Sequence, residues 1–207
     1  DGERSAFPSL RVRGDVALIG ASSAVPSLPL FATGRVGRDQ LDARALALLN
    51  VKYVLSTQPI DMSGLEPVGW TTLAYGGQPT QVAIYRFVEA MPRAWLVEGY
   101  QLASDSESVL DALKSGDFDP ARTVVLIERP AIEPQLGTSG SVEILDYQLH
   151  TIAMQVWADT PRLLVLSEVY YPDGWRAYVD GERVPILQAD YALRAVALEA
   201  GDHHVEF

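Results

Sequence analysis

The chain contains no cysteine, so disulfides and thiolate metal sites are excluded. It has only two lysines, Lys52 and Lys114, and a formal net charge of −11. A protein that tracks phosphate backbones needs a basic stripe, so nucleic acid is excluded as a partner. An anionic membrane surface is disfavoured for the same reason. No apolar run reaches the roughly 20 residues that span a bilayer. There is no Gly-Lys-Ser/Thr phosphate loop and no His-Glu-x-x-His. Gly34 and Gly37 lack dinucleotide-binding spacing. Gly137-Thr138-Ser139-Gly140 is not a nucleophile elbow. His203 and His204 are strand neighbours and point to opposite faces, so they cannot chelate one ion together. No metal or nucleotide cofactor is expected.

What is present is an ordinary globular balance, with 48% hydrophobic and 21% charged residues, enough to bury a core without staples. The chain opens at Asp1 and stops at Phe207 inside a predicted strand, so it is expected to be a piece of a longer protein. Residues 1–38 carry Pro8, Pro26 and Pro29 and read as an irregular lead-in, with one short strand from Asp15 to Ile19. Asp39 is the expected N-cap of a helix through Leu41, Ala45, Leu48 and Leu49, closed by Asn50. Strands are predicted at Val51–Ser56, Trp70–Tyr75 and Gln81–Phe87, the last two joined through Gly76-Gly77. Another is expected at Ala94–Tyr100. Ser104 and Glu107 form a predicted capping box, Gly116 ends that helix, and a strand follows at Thr123–Ile127. Residues 39–128 therefore read as an α+β subdomain and 129–140, rich in proline and glycine, as a linker. Residues 141–207 read as an antiparallel β-sandwich, so the fold class is mainly β with an α+β part.

The clearest local signal is Asp180-Gly181 between two short runs, because Asp-Gly supplies the positive φ angles of a two-residue hairpin turn. Trp175 alternates with Ala177 and Val179 and is assigned to the core rather than to a sugar-stacking role. Arg194 alternates with Ala192, Val196 and Leu198. If that face is buried, its guanidinium needs an acidic or carbonyl partner, with Glu168, Asp173 and Asp180 as candidates. The aromatic loop around Pro172-Asp173-Gly174 leaves Tyr171 as the exposed ring. Tyr171, Asp173 and Arg176 are the candidate glycan contacts.

Four segments carry a resemblance: Leu49–Leu55, Met91–Val97, Leu166–Gly181 and Ala200–Phe207. In this order they resemble the C-terminal soluble region of the YfhO family of bacterial membrane proteins, over roughly residues 45–207. The resemblance implies a parent with many transmembrane helices, grouped with lipid-linked-sugar glycosyltransferases of the cell envelope. It implies an extracytoplasmic accessory domain, partnered by the transmembrane region of the same chain and by an envelope glycan. That class keeps its catalytic acid near N-terminal helices, so no catalytic residue is carried over to this chain. The other reading is a carbohydrate- or protein-binding sandwich of a surface protein.

Overall fold

The computed structural model describes residues 41–75 and 78–207, together with the backbone of strand β1 at Val16–Gly20. The proline-bearing lead-in, the Gly34–Gly37 loop, Asp39 and the Gly76-Gly77 connection lie outside the described residues. The chain is mainly β. It divides into two compact units, one ending at Met91 and one beginning at Pro92.

In the first unit, α1 (Ala43–Leu48) is capped by Asp42, whose carboxylate accepts the Ala45 amide at 2.8 Å. The cap therefore sits three residues beyond the expected Asp39. Asn50 ends the turn with φ +52, a conformation its short polar side chain tolerates. Strands β2 (Val51–Ser56), β3 (Leu65–Tyr75) and β4 (Gln78–Phe87) join β1 in an antiparallel sheet of order β1-β2-β4-β3. The β3–β4 ladder is longer than the periodicity predicts, reaching back to Leu65 and Gln78 through an irregularity between Pro67 and Gly69. Leu46, Ala47, Val51, Val54, Ala83, Tyr85 and Phe87 form its core.

The second unit departs further from expectation. The predicted strand Ala94–Tyr100 is two strands, β5 (Ala94–Val97) and β6 (Gly99–Leu102), separated only by Glu98. Helix α2 (Ser106–Lys114) is capped by Asp105, not by a Ser104–Glu107 box, and the Asp105 carboxylate accepts the Ser108 amide at 2.8 Å. The remaining strands are β7 (Thr123–Leu126), β8 (Gly140–Tyr147), β9 (Ile152–Ala158), β10 (Arg162–Leu166), β11 (Ala177–Val179) and β12 (Glu182–Val184). They continue with β13 (Leu187–Ala189), β14 (Leu193–Leu198) and β15 (Gly201–Glu206).

These strands form a six-stranded sheet of order β5-β10-β14-β13-β7-β6 and a five-stranded sheet of order β12-β11-β15-β9-β8. The first sheet runs from β5 at one edge to β6 at the other, yet β5 and β6 are consecutive in the chain. The sheet must therefore curl until its edges nearly meet. Ladder partners share a face, which puts Trp95, Val97, Val124, Leu126, Leu163, Val165, Leu187, Ala189, Leu193 and Ala195 together. All ten are buried, as the inside of a curled sheet requires. Trp95 Nε1 there donates to the Pro120 carbonyl at 3.0 Å.

The outer face of that sheet is covered twice. Val125 packs with Val109 of α2 and Phe118. Ala94, Leu164, Leu166, Val196 and Leu198 pack against Ile152, Met154, Val156, Ala177, Val205 and Phe207 of the second sheet and its end. Each fully buried Leu or Val contributes roughly 1.5–3 kcal/mol.

The expected boundary at 129–140 is corrected here. Strands before it, β5 to β7, share a sheet with strands after it, so the sandwich begins at Pro92 and not at residue 141. The proline- and glycine-rich stretch is stitched down. Asp159 accepts the amides of Thr138 and Ser139 at 2.6 and 2.9 Å, and the Gln135 amide donates to the Pro161 carbonyl at 2.8 Å.

Candidate functional site

The hairpin read from Asp180-Gly181 is formed, with φ of +53 and +83 at the two positions. Asp180 is also held from the side. Its carboxylate accepts the His204 amide at 2.8 Å, and its second oxygen lies 2.7 Å from His203 Nδ1. The bond to His203 holds the Asp180 carboxyl below its ordinary pKa.

The loop between β10 and β11 carries the three candidate contacts. Tyr171 is 57% exposed, and Asp173 and Arg176 are exposed as well. The loop is a wound turn in which the Gly174 and Trp175 amides both donate to the Tyr171 carbonyl at 3.2 Å. The Tyr171 ring lies over Gly174 so closely that a Cβ there would sit 2.4 Å from it, and a larger residue would have to push that exposed ring aside. Arg176 is partly spent on the loop itself, donating to the carbonyls of Pro172 and Trp175 at 2.9 and 2.8 Å. The loop therefore presents one ring and one carboxylate on a fixed backbone.

Behind it stands a buried guanidinium with its ion-pair partners. Arg194 is 1% exposed. Its guanidinium lies 4.3 Å from the centre of the Trp175 ring and 5.1 Å from that of Phe207. Of its three expected acidic partners the structure selects Glu168, whose Oε2 is 3.8 Å from Arg194 Nη2. Glu168 Oε1 is shared by Arg93 Nη1 at 3.0 Å and by the Tyr147 hydroxyl, which donates to it. Burial, then the Glu168 bond, pushes the Tyr147 hydroxyl up to about 12. Burial lowers the Arg194 pKa, and Arg194 Nε and Nη1 have no hydrogen-bond partner among the described residues. Desolvated cation–π contacts of this kind are worth about 2 kcal/mol, which offsets part of the burial cost. Trp175 is partly buried and packs against the sandwich core from the loop before β11. Arg93 and Tyr147 were not singled out in the sequence. Arg93 lies in the Met91–Val97 segment, and Tyr147 carries no local mark, because only the fold brings it to Glu168.

A shallow cleft of about 380 Å³ opens beside β5, lined by Pro92, Leu96, Ser139, Ser141 and Arg162 among others. Its one cation is already paired. Arg162 Nη2 donates to Asp159 at 3.0 Å, and its Nη1 lies 3.5 Å from Glu98. Glu98 is held below its ordinary pKa first by Arg122. Asp159 is held far below its own, first by the Thr138 amide.

No helix among the described residues is long and apolar enough to cross a membrane. Comparison of the chain with protein-family models, with curated proteins and with solved structures found no match.

Proposed function

We propose that the chain is a non-catalytic accessory domain on the extracytoplasmic side of a polytopic membrane protein of the YfhO type, contributing to contact with an envelope glycan. The observation that carries this reading is a convergence. Arg93, Glu168, Trp175 and Phe207 come from three of the four resembling segments, and all meet on Arg194 and its carboxylate partner. Segments that lie far apart in the chain and resemble one family are here the parts that lock two sheets together. Their charged groups hold one another, with Glu168 serving Arg93, Tyr147 and Arg194 at once. Such an arrangement supports a rigid scaffold with recognition on its loops rather than proton transfer at its charged centre.

The recognition loop in this reading is the Tyr171–Arg176 turn, with Tyr171, Asp173 and Arg176 as its contacts. The test is complementation with the whole gene in cells lacking it. Replacing the three residues by alanine, with membrane expression and folding checked, is expected to reduce envelope glycosylation. Full glycosylation in the triple variant removes the loop contact. Glycosyl transfer by the purified 207-residue chain, from a lipid-linked sugar to an acceptor, removes the non-catalytic reading.

A further inference from the structure

The five-stranded sheet turns one face to the sandwich core and the other outward. Strand pairing determines which side chains share the outer face. Tyr178 lies opposite Glu206, Glu206 opposite Ala153, and Ala153 opposite Asp146. One row over, His204 lies opposite Gln155 and Gln155 opposite Glu143. In the next, Asp202 lies opposite Trp157 and Trp157 opposite Ser141. Their neighbours Ile152, Met154, Val156 and Val205 are in the core, so the pleat sends these three rows the other way.

Two aromatic rings stand on this face. Trp157 and Tyr178 are each 37% exposed. They sit on β9 and β11, with β15 between them. Their partners Asp202 and Glu206 are four positions apart along β15, about 13 Å, and two strand spacings add about 10 Å across. The Cα atoms are therefore ~16 Å apart on the diagonal. Hydrogen-bonding groups fill the space between the rings. The Gln155 side chain, half-buried, stands between them in the middle row. His204 and Glu206 lie 3.6 Å from each other and remain accessible.

We propose that this outer face, with Trp157 and Tyr178 as its two stacking platforms, binds an uncharged glycan chain. A pyranose ring has an apolar CH face and a rim of hydroxyls. An aromatic ring flanked by amide, imidazole and carboxylate groups matches both. Charge selects among polymers. Glu143, Asp146, Asp202 and Glu206 stand on the face, against the Arg183 guanidinium opposite Tyr178 and the His204 ring. Anionic polysaccharides, nucleic acids and anionic bilayers are repelled by that balance. A protein partner fits less well, because protein interfaces have a continuous apolar centre depleted in Asp and Glu. Here charged rows separate the rings. The platform is also stiff. β9, β11 and β15 are all paired on both sides, so little freedom remains to be lost on binding.

This inference extends the accessory-domain reading, on which it rests for the source of the glycan. Its test needs only the purified chain. In affinity gel electrophoresis, mixed-linkage β-glucan and dextran are the neutral matrices and polygalacturonate the anionic one. Retardation is expected in at least one neutral gel and not in polygalacturonate. Trp157→Ala and Tyr178→Ala are each expected to weaken it by roughly tenfold. Leu136→Ser, at a site 76% exposed, leaves it unchanged. If either alanine variant loses its cooperative melt, Gln155→Arg takes its place, and its long side chain across the centre of the face is expected to abolish retardation. Migration unaffected by both neutral polymers, retardation that survives these variants, or preference for polygalacturonate overturns the proposal. Migration of the unaltered chain unaffected by both neutral polymers, together with retained dependence of glycosylation on the Tyr171 loop, rejects the sheet-face site alone. The converse rejects the loop alone.

Discussion

The Val125 amide donates to Asp190 Oδ1 at 2.8 Å, while the Asp190 amide donates back to the Val125 carbonyl at 2.9 Å. A side chain has taken the place of a backbone carbonyl in the β13–β7 ladder. The backbone leaves the strand there, with φ of +45 at Asp190 and +75 at Tyr191, and the carboxylate completes the pairing. Its other oxygen is buried without a partner among the described residues, and burial pushes the carboxyl up to about 7.

That displacement has a definite sign. A carboxyl whose folded pKa is above its unfolded value binds its proton more tightly when folded. The fold therefore loses stability as pH rises from about 4 to about 7, by an amount on the order of a few kcal/mol. Asp190→Asn keeps an oxygen for Val125 and tolerates positive φ, but does not titrate. Its melting temperature is expected to exceed that of the unaltered chain at pH 8, with the gap closing towards pH 4. Parallel melting curves across that range would count against a protonated Asp190.

Around Arg194 the expected costs are unequal. Glu168→Ala leaves Arg194 buried beside two rings and deprives Arg93 and Tyr147 of their acceptor, so a loss of about 3–5 kcal/mol is expected. Arg194→Met removes the buried charge and leaves Glu168 with two partners. It is expected to cost far less, and the pair is readily compared by urea denaturation. Equal losses would mean that the Glu168–Arg194 contact at 3.8 Å carries little weight.

The hairpin turn gives a backbone test free of packing effects. Nothing lies within 4 Å of a Cβ built on Gly181, so substitution there meets only the φ of +83. Gly181→Val is expected to cost on the order of 1 kcal/mol or more, and Gly181→Asn clearly less. Identical melting temperatures for the two variants would sink the argument.

The stretch 129–140 is expected to resist limited proteolysis in spite of its composition. Asp159→Ala removes the acceptor of the Thr138 and Ser139 amides and should expose a new cleavage site nearby. A digestion pattern unchanged by the substitution would show that the other contacts suffice.

Features settled by neighbours in the chain were legible in the sequence. Asp180-Gly181 is one, since turn chemistry is local, and the mainly β class is another, since alternation marks strands directly. Arg194 was placed on a buried face by the same alternation, and Glu168 stood among the acids considered. The helix caps were misplaced by one to three residues, because Asp42 and Asp105 compete with other good capping residues nearby. The unit boundary was missed for a different reason. Pro130, Pro134 and Gly137 look like a linker, and the groups that tie that stretch down, Asp159 and the Pro161 carbonyl, come from beyond β9. Trp157 was readable in principle, because Ile152, Met154 and Val156 mark the opposite face. An isolated aromatic on a strand, however, looks like core until its partners are known.

The single-residue junction at Glu98 has a kinetic consequence. β6 finds β7 close by in sequence, through α2, so that parallel pair can form early. β5, one residue away, must wait for β10, which lies much further along the chain. The closure entropy of that long loop is met only once β10 exists. During synthesis the ribosome therefore releases an edge with Trp95 and Val97 still uncovered, and this strand is where a chaperone or a misdirected neighbour has its opportunity.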